Sequence, residues 1–218
     1  PQGVIVGSLA ESHIATSSLL ESHLGRYADY GTQPFVALNT AFLNDGAFIY
    51  LPPKMVVDEP ILMVFVSCPN AEATISHPRV LIVAGLSSRA TVIESYVGWK
   101  DDLYFTNAVT EVVLGEEAVL DHHLLQQESR AAYHIATLAV HQGRNSTFTS
   151  HSLAIGSTFD RSEVHALLAD EGGLSPGLAS GREALLMMVE SIEAAGLRPG
   201  GGAGMMTDGS SATSGSRP

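Results

Sequence analysis

A series of short β-prone runs, closed at near-equal intervals by glycine, most limits the folds open to this chain. Apolar stretches rich in Val, Ile and Thr occupy residues 61–66, 80–84, 91–95, 108–114, 118–125, 135–140, 146–155 and 163–168. Runs this short and this β-branched read as strands rather than helices. Glycine follows a run at Gly85, Gly115, Gly143 and Gly172, at spacings of 30, 28 and 29 residues, with two strand-like runs in each interval. Coils of a β-solenoid produce such a period, because each coil is completed only by stacking on its neighbour. Glycines also end strands in other all-β folds. The scarcity of two-residue hairpin turns in this region favours the solenoid.

The flanks differ from this middle. Within residues 8–30, Leu9, Ile14, Leu19, Leu20, Leu24 and Tyr27 recur at roughly helical spacing, which predicts one or two short helices. Residues 34–60 carry short apolar stretches at 35–38, 47–51 and 55–57, divided by the turn signal Asn44-Asp45-Gly46 and by Pro52-Pro53. No strand run is expected from Leu174 onward. Residues 183–195 are good helix formers stopped by Gly196 and Pro199, and the Gly, Ser and Thr rich remainder has little to bury. The expected organisation is a helical N-terminal segment over 1–33, a β core over 34–173 and a tail over 174–218.

Apolar residues make up 45% of the 218, enough for a sizeable core, and the formal charge is −12. So acidic a chain has few cations with which to displace counterions from a phosphate backbone, so nucleic acid is not an expected partner. Lys and Arg are scattered singly, leaving no membrane-surface patch, and no apolar run reaches bilayer-spanning length. One cysteine, Cys68, excludes an internal disulfide framework and fits a reducing compartment, so the expected location is cytoplasmic. The first residue is Pro1 rather than Met, so the true N-terminus is expected upstream.

Nine histidines invite a metal reading, and Asp121-His122-His123 is the densest case. On a strand, adjacent imidazoles point to opposite faces and do not share one ion. His134, His141, His151 and His165 are not in register with one coil, although stacked histidines on one face stay open. Cys68 ends an apolar run, where a thiol behaves as a small buried hydrophobe, and one cysteine does not hold a cluster unaided. There is no Gly-x-Ser-x-Gly elbow, no P-loop and no Gly-x-Gly-x-x-Gly after a strand, so nucleotide hydrolysis is assigned to a partner. No catalytic, cofactor-binding or metal residue is nominated. The competing class is an enzyme on a β-helix or a cupin-like barrel, acting on carbohydrate or through a His-bound metal.

The stretch from Leu38 through Phe42, Asn44-Asp45-Gly46 and Tyr50 to Pro52, followed by Val56-Val57-Asp58-Glu59-Pro60-Ile61, resembles the segment that leads into the β-helix of SufB and SufD proteins. Three further segments are similar to SufD members of that family: His23-Leu24-Gly25-Arg26-Tyr27-Ala28, Ser76-His77-Pro78-Arg79-Val80-Leu81-Ile82-Val83 and Ala166-Leu167-Leu168-Ala169-Asp170-Glu171-Gly172-Gly173. The resemblance covers residues 1–173 in order. It implies a right-handed parallel β-helix preceded by a helical segment, acting as a non-catalytic scaffold with a SufB-like subunit and a SufC-like ATPase. The iron–sulfur cluster is then assembled by the wider complex rather than held by this chain as a cofactor. Residues 174–218 match nothing in the family, as a truncation or shifted reading frame would produce. The family's interface residues, including a histidine implicated in cluster formation, fall in the unmatched part, so none is carried over.

Overall fold

The computed structural model describes residues 2–11, 14–69, 72–98, 102–168 and the backbone of 174–180. Two parallel sheets face each other across one lumen. The first holds β2 (Gly46–Leu51), β5 (Arg79–Ala84), β7 (Tyr104–Leu114), β9 (Tyr133–Gln142) and β11 (Phe159–Leu168) side by side in that order. The second holds β3 (Ile61–Ser67), β6 (Arg89–Gly98), β8 (Val119–Gln127), β10 (Thr147–Ile155) and β12 (Leu174–Ser180). Successive strands alternate between the sheets, so each coil adds one strand to each, giving a β-solenoid of about four turns. All eight strand runs read from the sequence coincide with these strands, those starting at 118 and 146 beginning one residue early.

Stacking glycines account for the period. A methyl group on Gly85 would lie 2.9 Å from the Leu51 carbonyl oxygen, and one on Gly143 would lie 2.8 Å from that of Leu114. Each corner is therefore closed by backbone pressed on backbone. The amides of Gly85, Gly115 and Gly143 donate to Leu51, Ala84 and Leu114 of the preceding coil, each at 2.8 Å. Two residues on, Ser87, Glu117 and Asn145 adopt positive φ of 53°, 59° and 55°, and Lys54 does the same at the first corner with 63°. Gly172, the fourth glycine of the series, lies outside the described residues.

Inward side chains stack in register along the axis. Ile49, Ile82, Val112 and Val140 form one apolar ladder, and Ala90, Leu120 and Phe148 form another opposite it. At about 25 cal/mol per Å² of apolar area removed from water, such ladders are the main favourable term in a fold whose contacts are mostly between neighbouring coils.

Three expectations change. The N-terminal segment is not wholly helical: β1 (Ile5–Ser8) precedes α1 (Ile14–His23) and pairs antiparallel with β2, closing the free edge of the first coil. Residues 35–38 belong to a helix, α2 (Pro34–Ala41), which starts on Pro34, pre-set in φ, and buries Val36 and Asn39 on the first sheet. Beyond residue 173 the chain forms β12, parallel to β10, where no strand was expected; Pro176 and four small residues hid it. β4 (Thr74–Ser76), beside β7, also escaped the sequence reading because three residues carry no periodicity. The helix expected over 183–195 lies outside the described residues.

Candidate functional site

Halfway along the lumen the ladders turn polar. Glu94 of β6, Thr110 of β7, His122 of β8 and Ser150 of β10 all point inward and are nearly or wholly shielded from water. Strand alternation puts them there: Glu94 lies two residues beyond Val92, and His122 two beyond Leu120, on the same faces as those core residues. Glu94 Oε2 sits 3.1 Å from His122 Nε2, and His122 Nδ1 sits 3.2 Å from Ser150 Oγ. Tyr96 donates to Glu94 Oε1 at 2.5 Å and Thr110 donates to both carboxylate oxygens at 3.0 and 3.1 Å. A cavity of about 160 Å³ adjoins this cluster.

Four residues along the same strands, across the coil from this cluster, the arrangement recurs. The carboxylate of Glu128 accepts from Thr106 at 2.9 Å and from Gln126 at 3.0 Å, and its Oε2 lies 2.7 Å from His134 Nδ1. The His134 ring meets Tyr96 edge to face, with centroids 4.9 Å apart, which joins the two groups.

Electrostatically the lumen favours proton retention on its phenol and loss from its first carboxyl. Burial pushes Glu94 up, but the hydrogen bond and charge of His122, with the bonds from Tyr96 and Thr110, outweigh it and hold the acid below its usual range. Burial first, and the neighbouring Glu94 second, raise Tyr96 well above the ordinary phenol value. The Glu94 carboxylate is therefore engaged by protein donors alone, inside the coil and away from solvent.

The two adjacent histidines part as strand geometry requires. His122 faces the lumen, while His123 stacks on His151 of the next coil, with centroids 5.2 Å apart. That ladder of histidines on one face was left open by the sequence, though the pair 28 residues apart that forms it was not singled out. Burial, followed by the charge of His151, pushes His123 down to about 4. Cys68, expected buried, is exposed, because it lies just past the end of β3, the edge strand of its sheet. Among the described residues no three His, Cys, Asp or Glu side chains converge to hold a metal ion.

Sequence reading missed Glu94, and weighed His134 only as one of a stack of histidines and Glu128 only as a neighbour of the 122–123 pair. The available signal was a carboxylate within an apolar run, as in Val92-Ile93-Glu94-Ser95-Tyr96-Val97.

On the outer face, Arg79 and Glu111 anchor the N-terminal segment. Glu111 Oε1 accepts from the backbone amides of Tyr27 and Ala28 at 2.8 and 2.9 Å, and Oε2 accepts from Gly25 at 2.8 Å. Arg79 Nη2 donates to the same Oε2 at 2.7 Å.

Known proteins share this architecture in sequence. The SufBD core domain of the SUF system for iron–sulfur cluster assembly matches residues 67–176, and the SufBD N-terminal region matches residues 1–63. An iron–sulfur cluster assembly SufBD family protein of Synechocystis is 29% identical over 168 residues, covering 73% of this chain and 37% of that protein. The chloroplastic protein ABCI7 of Arabidopsis thaliana is 28% identical over 171 residues, covering 76% and 36% of the two chains. The iron–sulfur cluster assembly protein SufD of Bacillus subtilis is 38% identical over 85 residues, covering 38% of this chain and 18% of that one. The chain thus spans little more than a third of the length of the first two relatives. With both family regions matched in order and the coils they describe in place, this chain belongs to the SufBD family.

Proposed function

We propose that the chain is part of a non-catalytic scaffold subunit of a SUF-type iron–sulfur cluster assembly complex, pairing with a SufB-like subunit and a SufC-like ATPase. The observation that carries this reading is the match of the SufBD regions over residues 1–63 and 67–176, the part of the chain that builds the coils. A stack of coils presents long rigid faces, which suits a platform for partners better than a deep cleft for turnover. ATP hydrolysis then belongs to the partner, since the chain has no P-loop.

A carbohydrate-cleaving β-helix would need paired carboxylates across an open groove. Glu94 and Glu128 are instead sealed in the lumen and engaged by His122 and His134. No helix among the described residues is long and apolar enough to cross a membrane. The cytoplasm is the compartment we assign.

Co-expression with SufB-like and SufC-like proteins tests the reading. A chain extended through the rest of the family core is expected to co-purify with both and to carry no ATPase activity alone. Failure of the extended chain to retain either partner overturns it.

A further inference from the structure

We propose that the groove between the N-terminal segment and the outer face of β9 and β11 binds a phosphate-type oxyanion. The groove encloses about 610 Å³ and is lined by Arg26, Tyr27, His141 and His165 along with small and aliphatic side chains. On a chain of net charge −12, this gathers cationic and imidazole groups from three separate elements. Arg26 comes from the loop after α1, His141 from β9 and His165 from β11.

The surrounding contacts leave that loop ready for an anion. Arg26 Nη2 donates to the Glu21 carbonyl oxygen at 3.4 Å, and among the described residues the guanidinium makes no ion pair. His23 Nδ1 lies 2.7 Å from the Tyr27 hydroxyl, and the Tyr27 ring meets His141 with centroids 5.2 Å apart. Of the nearby carboxylates, only Glu163 approaches a groove donor, His165, and none approaches Arg26. Glu111, behind Tyr27, is taken up by Arg79 and three backbone amides. Glu163 is engaged by Arg161 and stands 3.8 Å from His165 Nε2. Burial first, and then the charge of His141, hold His23 below its ordinary value, so it resists protonation unless an anion sits beside it. A tetrahedral oxyanion would take charge-assisted hydrogen bonds from Arg26 and hydrogen bonds from the ring N–H groups of His141 or His165.

The groups that set its pH dependence are His23 on α1, Arg26 and Tyr27 in the loop, His141 on β9, His165 with Glu163 on β11, and Glu111 on β7. Affinity for sulfate, whose charge is constant in this range, should therefore be higher at pH 6 than at pH 8.

The test is NMR of the histidine ring resonances of the full chain during titration with inorganic phosphate, against sodium chloride at matched ionic strength. A parallel titration uses ADP. Saturable shifts at His23, His141 and His165 with phosphate alone mean that a free oxyanion suffices. Shifts with ADP only mean that the group is read on a larger molecule, and either result supports the site. Arg26→Ala, at an exposed position, should weaken binding about tenfold, whereas Arg144→Ala at a distant exposed corner should leave it unchanged. The proposal is overturned if chloride reproduces the shifts, if neither phosphate nor ADP saturates, if both arginine variants lose affinity equally, or if sulfate binds no better at pH 6.

Discussion

Arg79 of β5 and Glu111 of β7 meet on adjacent coils with Nη2 and Oε2 2.7 Å apart, both side chains almost wholly buried beneath the N-terminal segment. The pair neutralises itself, and its carboxylate ends three backbone amides of the 25–28 loop that would otherwise be buried without acceptors. A buried pair of this kind is costly to break from one side. Glu111→Ala is therefore expected to destabilise the protein by about 3–5 kcal/mol in urea unfolding. It should also open residues 24–30 to limited proteolysis. Unchanged cleavage in that loop would show that the apolar contacts of Val36 and Ala28 hold the segment by themselves.

The lumen pair of Glu94 and His122 leads to a double-mutant expectation. Either Glu94→Leu or His122→Phe alone leaves a buried polar partner behind and should cost about 3–5 kcal/mol. The double variant should be markedly less destabilised than the two losses added together. Additive losses would mean that the pair contributes through shape rather than charge.

Glycine stacking is checked at Gly115. A β-carbon there would stand 2.8 Å from the Leu86 amide nitrogen and 3.0 Å from the Gly85 carbonyl carbon, backbone atoms that cannot turn aside. Gly115→Ala should lower stability by about 1–3 kcal/mol, the usual cost of forced overpacking. Gly7→Ala, with nothing within 4 Å, should be neutral or slightly stabilising. Equal effects at the two positions in thermal melts would remove the stacking argument.

Lys54 holds positive φ at the first corner on an exposed position. Lys54→Gly relieves that conformation and should raise stability by up to about 1 kcal/mol, part of which is offset by the freer unfolded chain. A drop in melting temperature would contradict this.

Stability should fall in acid, beginning above the carboxylate range. His123 is held down to about 4 from 6.5, so between these values the unfolded chain binds the proton and the folded one does not. Stability is then greatest above pH 6.5 and declines as pH falls toward 4, by up to about 3 kcal/mol from this residue. Glu94, lowered by its partners, adds a further loss in more acid solution as it takes up its proton. Urea unfolding from pH 7.5 to 4 should show His123→Gln losing less stability over the upper part of this range. Parallel profiles for the two proteins would place the sensitivity elsewhere.

Much of the coil architecture was legible because a solenoid repeats one local instruction. Gly85, Gly115 and Gly143 mark corners where one coil's backbone presses on the last, and that need recurs with every turn, so it leaves a period in the sequence. The elements at the ends were less legible. β1 is four residues that become a strand by pairing with β2, and α2 starts in a stretch whose apolar spacing suits either state. β12 forms by extending the ladder of β10, a contact that residues 174–180 do not encode alone.

The candidate site was the least legible part, because its members are separated along the chain and united by register. The sequence by itself determined the strand series, the glycine corners and the opposite facing of His122 and His123, all consequences of local periodicity and backbone sterics. Only the tertiary structure decided that Glu94 meets His122, that Glu111 caps the 25–28 loop beside Arg79, and that Arg26 faces His141 and His165. Each depends on which residues of different coils come to lie side by side, and that is settled by packing across the lumen and the outer face, where sequence distance carries no information.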